Sequence, residues 1–338
     1  MHAVFFIFVT VAALCLSGCS KEDEPFMDSD APTPQVIFLF SPGGLGDMSY
    51  NDCILSGIQR FKRENPEVDV FLYSPPSMEV AERIFSDWMK RPGSNIPVVF
   101  ALASSDFESM VDNYIDDYPL SDNKRILLFE SLKDYGNDHI HTFHISMYGA
   151  SYLAGLSAAE MSEGGRSLVL LGSSTDVPVE SARDGFIAGL NCDNYDIEYL
   201  ADDWTGYVMA NYTYQKMSDW SSRYSFIFPV AGGSNTGLYR YTREFADAPF
   251  LAGMDIDQSD LSKKITGSVV KRFDILINEY FTWWLNDGNM PAWQIYTLQS
   301  GYVDWQLSPL YSGKLNEIVE KGREKAIKEE EKYYEAIY

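Results

Sequence analysis

Four short segments carry residue types and spacings that could do chemistry. Ser41-Pro42-Gly43-Gly44-Leu45-Gly46-Asp47 follows an apolar run and precedes a helical pattern. Glycines there would let backbone N–H groups approach an anion at a helix start. No G-x-G-x-x-G and no P-loop Gly-Lys-Ser/Thr is completed, so a turn presenting Asp47, Tyr50 and Asn51 is the better reading. His139, His141 and His144 form a second cluster. His139 and His141 would share one face of a strand, as a metal pair does, but the adjacent sequence does not complete a ligand set, so no metal is expected. Ala231-Gly232-Gly233-Ser234-Asn235-Thr236-Gly237 follows another apolar run and is either a close backbone approach to a ligand or a plain turn. In Met254-Asp255-Ile256-Asp257-Gln258, Asp255 and Asp257 share a face while the segment stays extended. Paired carboxylates could do acid/base work, hold a metal, or accept hydrogen bonds from ligand hydroxyls. No Gly-x-Ser-x-Gly or His-Glu-x-x-His occurs, and nothing assembles a nucleophile, a base and an orienting group. The expectation is a binding protein without a cofactor, and not an enzyme.

Composition narrows the partners. The 338 residues carry a formal net charge of −23, with 46% apolar and 14% aromatic residues. That is a globular chain whose surface repels phosphate polymers and anionic headgroups, so nucleic-acid binding is not expected. A small neutral or cationic ligand remains compatible with it. Of the four cysteines, only Cys53 and Cys192 fall in the body. They could pair in an oxidising compartment, but two free thiols are the better reading.

The chain opens with an apolar stretch from Val4 to Leu16 that ends in Leu16-Ser17-Gly18-Cys19. A short apolar segment followed by small residues is how a secretory signal ends, and it is too short for an ordinary membrane-spanning helix. With Cys directly after the cut, the arrangement resembles a bacterial lipoprotein signal. Residues 1–18 are then a removed signal peptide, Cys19 the lipidated residue, and 19–34 an acidic, Pro-containing tether. The body would be lipid-anchored at a membrane of the cell envelope, facing the periplasm or the outer-membrane surface. Lys21-Glu22-Asp23-Glu24 also resembles the surface-export signal of some Gram-negative lipoproteins.

Apolar, strand-length runs alternate with amphipathic helical patterns through the body, beginning with Gln35 to Phe40 and continuing to Phe250 to Met254. Apolar strands separated by helices indicate α/β architecture with parallel sheets covered on both faces. Two halves of this kind fit two doubly wound lobes. The tail beyond Ser268 is too long for the second lobe alone, which implies interlobe crossovers. Lobe one is expected from 35–147 plus about 272–292, and lobe two from 148–271 plus about 293–338. The last segment, Lys314 to Tyr338, reads as a solvated helix with one buried stripe. Ligands of open α/β sheets sit outside the carboxyl ends of strands, so the site is expected in the cleft between lobes.

Six segments, in order, resemble the basic membrane protein (BMP) family of bacterial substrate-binding lipoproteins, from about Val36 to about Asp304. They are Gly44 to Asn51, Tyr148 to Gly155, Gly185-Phe186-Ile187-Ala188-Gly189, Val230 to Gly237, Gly253 to Gln258, and Ser268-Val269-Val270-Lys271-Arg272. The resemblance implies a type I periplasmic-binding-protein-like fold that captures a purine nucleoside-like molecule for an ABC permease. It implies Tyr50 and Trp204 as stacking aromatics, and Asp47 and Asn51 as contacts to the base. Glu130 and Asp255 would take ribose hydroxyls, Lys271 would donate to the ligand or hold Asp255, and Gly232 and Gly233 would let backbone approach the sugar. Tyr50, Glu130 and Trp204 depart from the family's residues, which leaves the ligand's identity open. The alternative is a surface-exposed scavenging or interaction lipoprotein that uses the same fold for a different ligand.

Overall fold

The computed structural model describes residues 33–286 and 289–337. The first stretch runs β1 (Gln35–Phe40), α1 (Tyr50–Glu64), β2 (Asp69–Tyr73), α2 (Met78–Lys90), β3 (Val98–Ala103), α3 (Glu108–Ile115), β4 (Lys124–Phe129) and β5 (Ile140–Ile145). The second runs α4 (Tyr148–Ser162), β6 (Ser167–Ser173), α5 (Val177–Leu190), β7 (Tyr195–Ala201), α6 (Ala210–Arg223), β8 (Phe226–Val230), α7 (Asn235–Glu244), β9 (Phe250–Asp255) and β10 (Ile265–Lys271). The tail adds α8 (Phe273–Asn286), β11 (Trp293–Tyr296), β12 (Val303–Leu307) and α9 (Ser312–Glu335).

These strands make two six-stranded sheets, ordered β11-β5-β4-β3-β1-β2 and β12-β10-β9-β8-β6-β7. Every pairing is parallel except β10 with β12. The central strands β1, β3 and β6 are buried along their whole length, which is why they read as unbroken apolar runs. In each sheet the strand order reverses beside the first strand, between β1 and β3 and between β6 and β8. Ligands of open α/β sheets collect beside such switch points.

The chain crosses between sheets three times: from β5 into α4, from β10 into α8, and from β11 to β12. One boundary differs from expectation. Trp293–Tyr296 was expected in the second lobe, but β11 pairs with β5, Trp293 opposite Thr142 and Tyr296 opposite Ile145. The strand-like stretch up to Trp305 is interrupted at Leu298–Ser300, where a single 3-10 turn carries the chain to the other sheet. The last crossing therefore falls after Tyr296.

Two of the sequence segments owe their glycines to one helix contact. A Cβ on Gly155 of α4 would lie 2.2 Å from the Phe186 carbonyl oxygen of α5, and one on Gly189 of α5 would lie 2.0 Å from that of Tyr152. The backbones of α4 and α5 touch because no side chain intervenes. Gly189→Ala is expected to lower unfolding free energy by about 1–3 kcal/mol through overpacking. Gly313→Ala on α9, where a Cβ meets nothing within 4 Å, should be neutral or slightly stabilising. Urea denaturation of both variants checks this, and equal effects would contradict it.

Candidate functional site

The carboxyl ends of both sheets enclose one cavity, about 730 Å³ of empty space when the part open to solvent is included. All nine residues singled out from sequence line it: Asp47, Tyr50 and Asn51 from the β1–α1 turn, Glu130 after β4, Trp204 after β7, Gly232 and Gly233 after β8, and Asp255 and Lys271 from the ends of β9 and β10.

Within the β1–α1 turn, acidic side chains occupy the N–H groups that an anion would need. Asp47 accepts from the backbone N–H of Ser49 (2.9 Å), Asn51 (2.8 Å) and Asp52 (3.2 Å), and from Asn51 Nδ2 (3.2 Å). Asp52 accepts from the N–H of Gly46 and Met48. Carboxylates thus cap α1 and favour its positive end, so the turn is no phosphate cradle. A carboxylate has about four lone-pair positions, and those of Asp47 are engaged internally. Asn51 is also turned inward: its Oδ1 accepts from Ser41 N–H and Oγ–H, as its Nδ2 bonds Asp47. Both residues line the cavity, but their hydrogen bonds build the turn.

Glu130, Lys271 and Asp255 form the charged centre. Lys271 Nζ donates to Glu130 Oε1 at 2.6 Å and lies 3.9 Å from Asp255 Oδ1. Glu130 and Asp255 have φ of +59° and +66°, a left-handed backbone that is costly outside glycine and tends to concentrate at functional sites. Burial works against the Glu130 charge, yet Lys271 and His144 outweigh it and hold its pKa down at about 2. Burial likewise opposes the Lys271 ammonium, but Glu130 and Asp255 raise its pKa above the usual value. Asp255 is pushed up by burial, partly offset by Lys271 and by the Ser49 hydroxyl, which donates to its Oδ2 at 2.5 Å. The turn at Asp255 also separates it from Asp257, which is exposed and accepts from Gln306 Nε2. The two aspartates do not share a face.

Tyr50 packs edge-on against Phe273, and Lys271 Nζ lies 5.5 Å from its ring centroid. Its hydroxyl is buried without a hydrogen-bond partner. Gly232, at φ +50°, sits against the Tyr207 ring, while Gly233 faces Asp47. Among the cavity residues missed from sequence, three matter most to its chemistry. Tyr207 shares a 3-10 turn with Trp204, and its ring lies where a Gly172 Cβ would be, 2.3 Å away. Asp176, after β6, accepts from Tyr207 Oη at 2.5 Å and, across the cleft, from Ser105 Oγ at 3.0 Å. Asp106 follows β3 and accepts from Ser104 Oγ. No Lys or Arg among the described residues lies within ion-pair distance of Asp106 or Asp176. Both are the first acidic residues after central strands beside a switch point, a signal the sequence does contain.

The histidines do not gather around a common centre. His139 contacts Arg125, His141 Nδ1 faces the Pro291 carbonyl, and His144 faces Glu130. Cys53 is buried and Cys192 exposed, both as free thiols. Among the described residues no helix is long and apolar enough to cross a membrane. Cys19 and nearly all of the tether, 19–32, lie outside the described residues.

A family model described as ABC transporter substrate-binding protein, PnrA-like, matches residues 34–335. Basic membrane protein B of Borreliella afzelii (strain PKo) is 25% identical over 288 residues, 80% of this chain and 77% of that one. Among solved structures, a solute-binding protein of an ABC transporter system from Aeropyrum pernix K1 superposes with a TM-score of 0.69 at 19% identity, covering 86% of this chain and 81% of the other. A transcriptional activator of the comK gene from Bacillus halodurans superposes at 0.64 with 18% identity, covering 87% and 97%. Likeness at these identities establishes the two-lobed fold, which serves more than one function.

Burial raises the Asp47 and Asp176 pKa values from 3.8 to about 6, and for Asp176 the like charge of Asp106 adds to the effect. The folded protein therefore binds these protons more tightly than the unfolded chain, and their contribution to stability falls as pH rises from 3.8 to about 6. The melting temperature of the purified protein, measured without added ligand, should fall on going from about pH 5 to 7, and Asp176→Asn should reduce that fall. A melting temperature that rises over this interval in wild type and variant alike would contradict the assignment.

Proposed function

The chain belongs to the PnrA-like family of ABC-transporter substrate-binding proteins, and from that premise we propose that its interlobe cavity captures a nucleoside-like small molecule for import. Substrate-binding proteins of ABC importers work outside the cytoplasm and perform no covalent chemistry. One observation carries the nucleoside reading: a single cavity holds the aromatic rings of Tyr50, Trp204 and Tyr207 together with the buried Glu130–Lys271–Asp255 group. Flat bases stack on aromatic faces, and a ribose diol suits carboxylates that accept and an ammonium that donates. The unpartnered Tyr50 hydroxyl adds one more polar contact for a ligand.

Asp106 and Asp176 refine the choice. An ionised carboxylate only accepts hydrogen bonds, so bases with an exocyclic amino group offer this part of the cavity more donors than bases whose only donor is a ring N–H. Asp47 and Asn51 build the turn that supports Tyr50 and border the base from the cavity wall. Backbone at Gly232 and Gly233 borders the sugar. Isothermal titration with guanosine, adenosine, inosine and uridine should show at least one tight ligand, with inosine and uridine, which lack an amino group, weaker than guanosine or adenosine. Asp255→Ala should weaken binding by roughly a hundredfold or more, the scale of a buried charged hydrogen bond lost from a site, while His141→Ala should leave it unchanged. Flat traces across the panel would refute the nucleoside reading.

Lipid anchoring through Cys19 is part of the same reading and rests on Leu16-Ser17-Gly18-Cys19. Cells fed labelled palmitate should label the wild-type protein and not Cys19→Ser. Equal labelling of both would remove the anchor from the account.

A further inference from the structure

Glu130 is held in place by one backbone group and one side chain outside the cavity. Its Oε2 accepts from the Ile145 N–H at 3.0 Å and faces His144 Nδ1 at 2.9 Å. His144 Nε2 is in turn 2.9 Å from the Tyr334 hydroxyl. With a carboxylate facing Nδ1, that nitrogen carries the proton and Nε2 accepts from the Tyr334 O–H. All three are buried, Glu130 to 5%, His144 to 0% and Tyr334 to 9% exposure, so water does not readily substitute for a lost partner.

Tyr334 lies in the last turn of α9. One turn earlier on the same stripe, Glu330 is 1% exposed in a row otherwise formed by Leu315, Val319, Ala326 and Tyr334. Its Oε1 accepts from Ser146 Oγ at 2.5 Å and Gly149 N–H at 3.1 Å, and its Oε2 from Leu298 N–H at 2.8 Å. Ser146 and Gly149 flank the first crossing between lobes, and Leu298 begins the turn of the third. One helix stripe thus reaches both the hinge and the carboxylate that binds Lys271.

We propose that α9 is part of the binding machinery: Tyr334, acting through His144, is a positioning residue for Glu130, and Glu330 fixes the two crossings against which that relay is set. The strained backbone at Glu130, φ +59°, makes outside support necessary. Because coupling free energies are reciprocal, a ligand held by Glu130 must also strengthen the docking of α9. This inference rests on the proposed solute-binding role of the cavity and goes beyond it by extending the site to the carboxyl-terminal helix.

Tyr334→Phe tests it, since the substitution removes one hydroxyl and keeps the ring. Guanosine and adenosine affinity should fall about tenfold, the scale of one buried hydrogen bond, with the melting temperature lowered by only a few degrees and the fold kept. Tyr333→Phe, whose ring packs on Tyr148, should bind as wild type. Bound nucleoside should slow amide exchange in the last turns of α9 in wild type, and less so in Tyr334→Phe. If wild type binds nucleosides and Tyr334→Phe binds them equally well, the inference is overturned while the proposed function stands. If wild type binds none, the function reading fails, and nitrogen NMR of His139, His141 and His144 still decides the relay. Its expected result is a proton on His144 Nδ1, with Tyr334→Phe shifting Nε2 and Glu130→Gln shifting Nδ1. A proton on Nε2 would overturn it.

Discussion

The rest of the site depends on keeping one ammonium charged where water barely reaches. Lys271 is 4% exposed, and a buried lysine keeps its charge only if carboxylates compensate the lost hydration. Those carboxylates come from different lobes: Glu130 ends β4 of the first sheet, and Asp255 ends β9 of the second. Neither lobe satisfies the charge alone, so the polar centre is also the seam that ties them. Ser49 to Asp255, Gln258 Nε2 to the Met48 carbonyl, and Ser105 to Asp176 extend the seam along the cleft. Buried ion pairs add little net stability against an apolar alternative. Their value here lies in donors and acceptors fixed in place at the wall of a cavity.

The two sheets explain how that centre is assembled. Each parallel sheet points its carboxyl ends at the other, so the turns after β1, β3, β4, β6, β8, β9 and β10 converge. At Glu130 and Asp255 the chain adopts a left-handed backbone to aim a carboxylate sideways from the strand end. The cost of roughly 1–3 kcal/mol per such residue is borne by central strands that are buried along all but one residue each. Three crossings join the lobes, and the last helix reaches back over two of them through Glu330.

Much of this was legible in the sequence. Apolar strand-length runs gave the α/β architecture, and motifs at strand ends gave the residues that line the cavity. What failed did so for local reasons. Asp47 and Asn51 line the cavity as expected, but their second task is invisible in the sequence: a carboxylate two residues before a helix's N-cap also takes up the helix's first backbone N–H groups. Asp255 and Asp257 alternate correctly for a strand, yet the strand stops at Asp255. Trp293–Tyr296 was assigned to the wrong sheet because short apolar runs carry no mark of their partner strand. Tyr207 went unnoticed because its position depends on Gly172, 35 residues upstream. The link from Tyr334 to His144 spans 190 residues and no spacing rule reaches that far.

The most direct test of the central claim is a crystal structure of the protein grown with the nucleoside that titrates most tightly. The account predicts the base between the rings of Tyr50 and the Trp204–Tyr207 turn, sugar hydroxyls on Glu130, Lys271 and Asp255, and the seam between lobes intact around them. Density for the nucleoside outside this cavity, or inside it without contact to the Lys271 centre, would contradict the account.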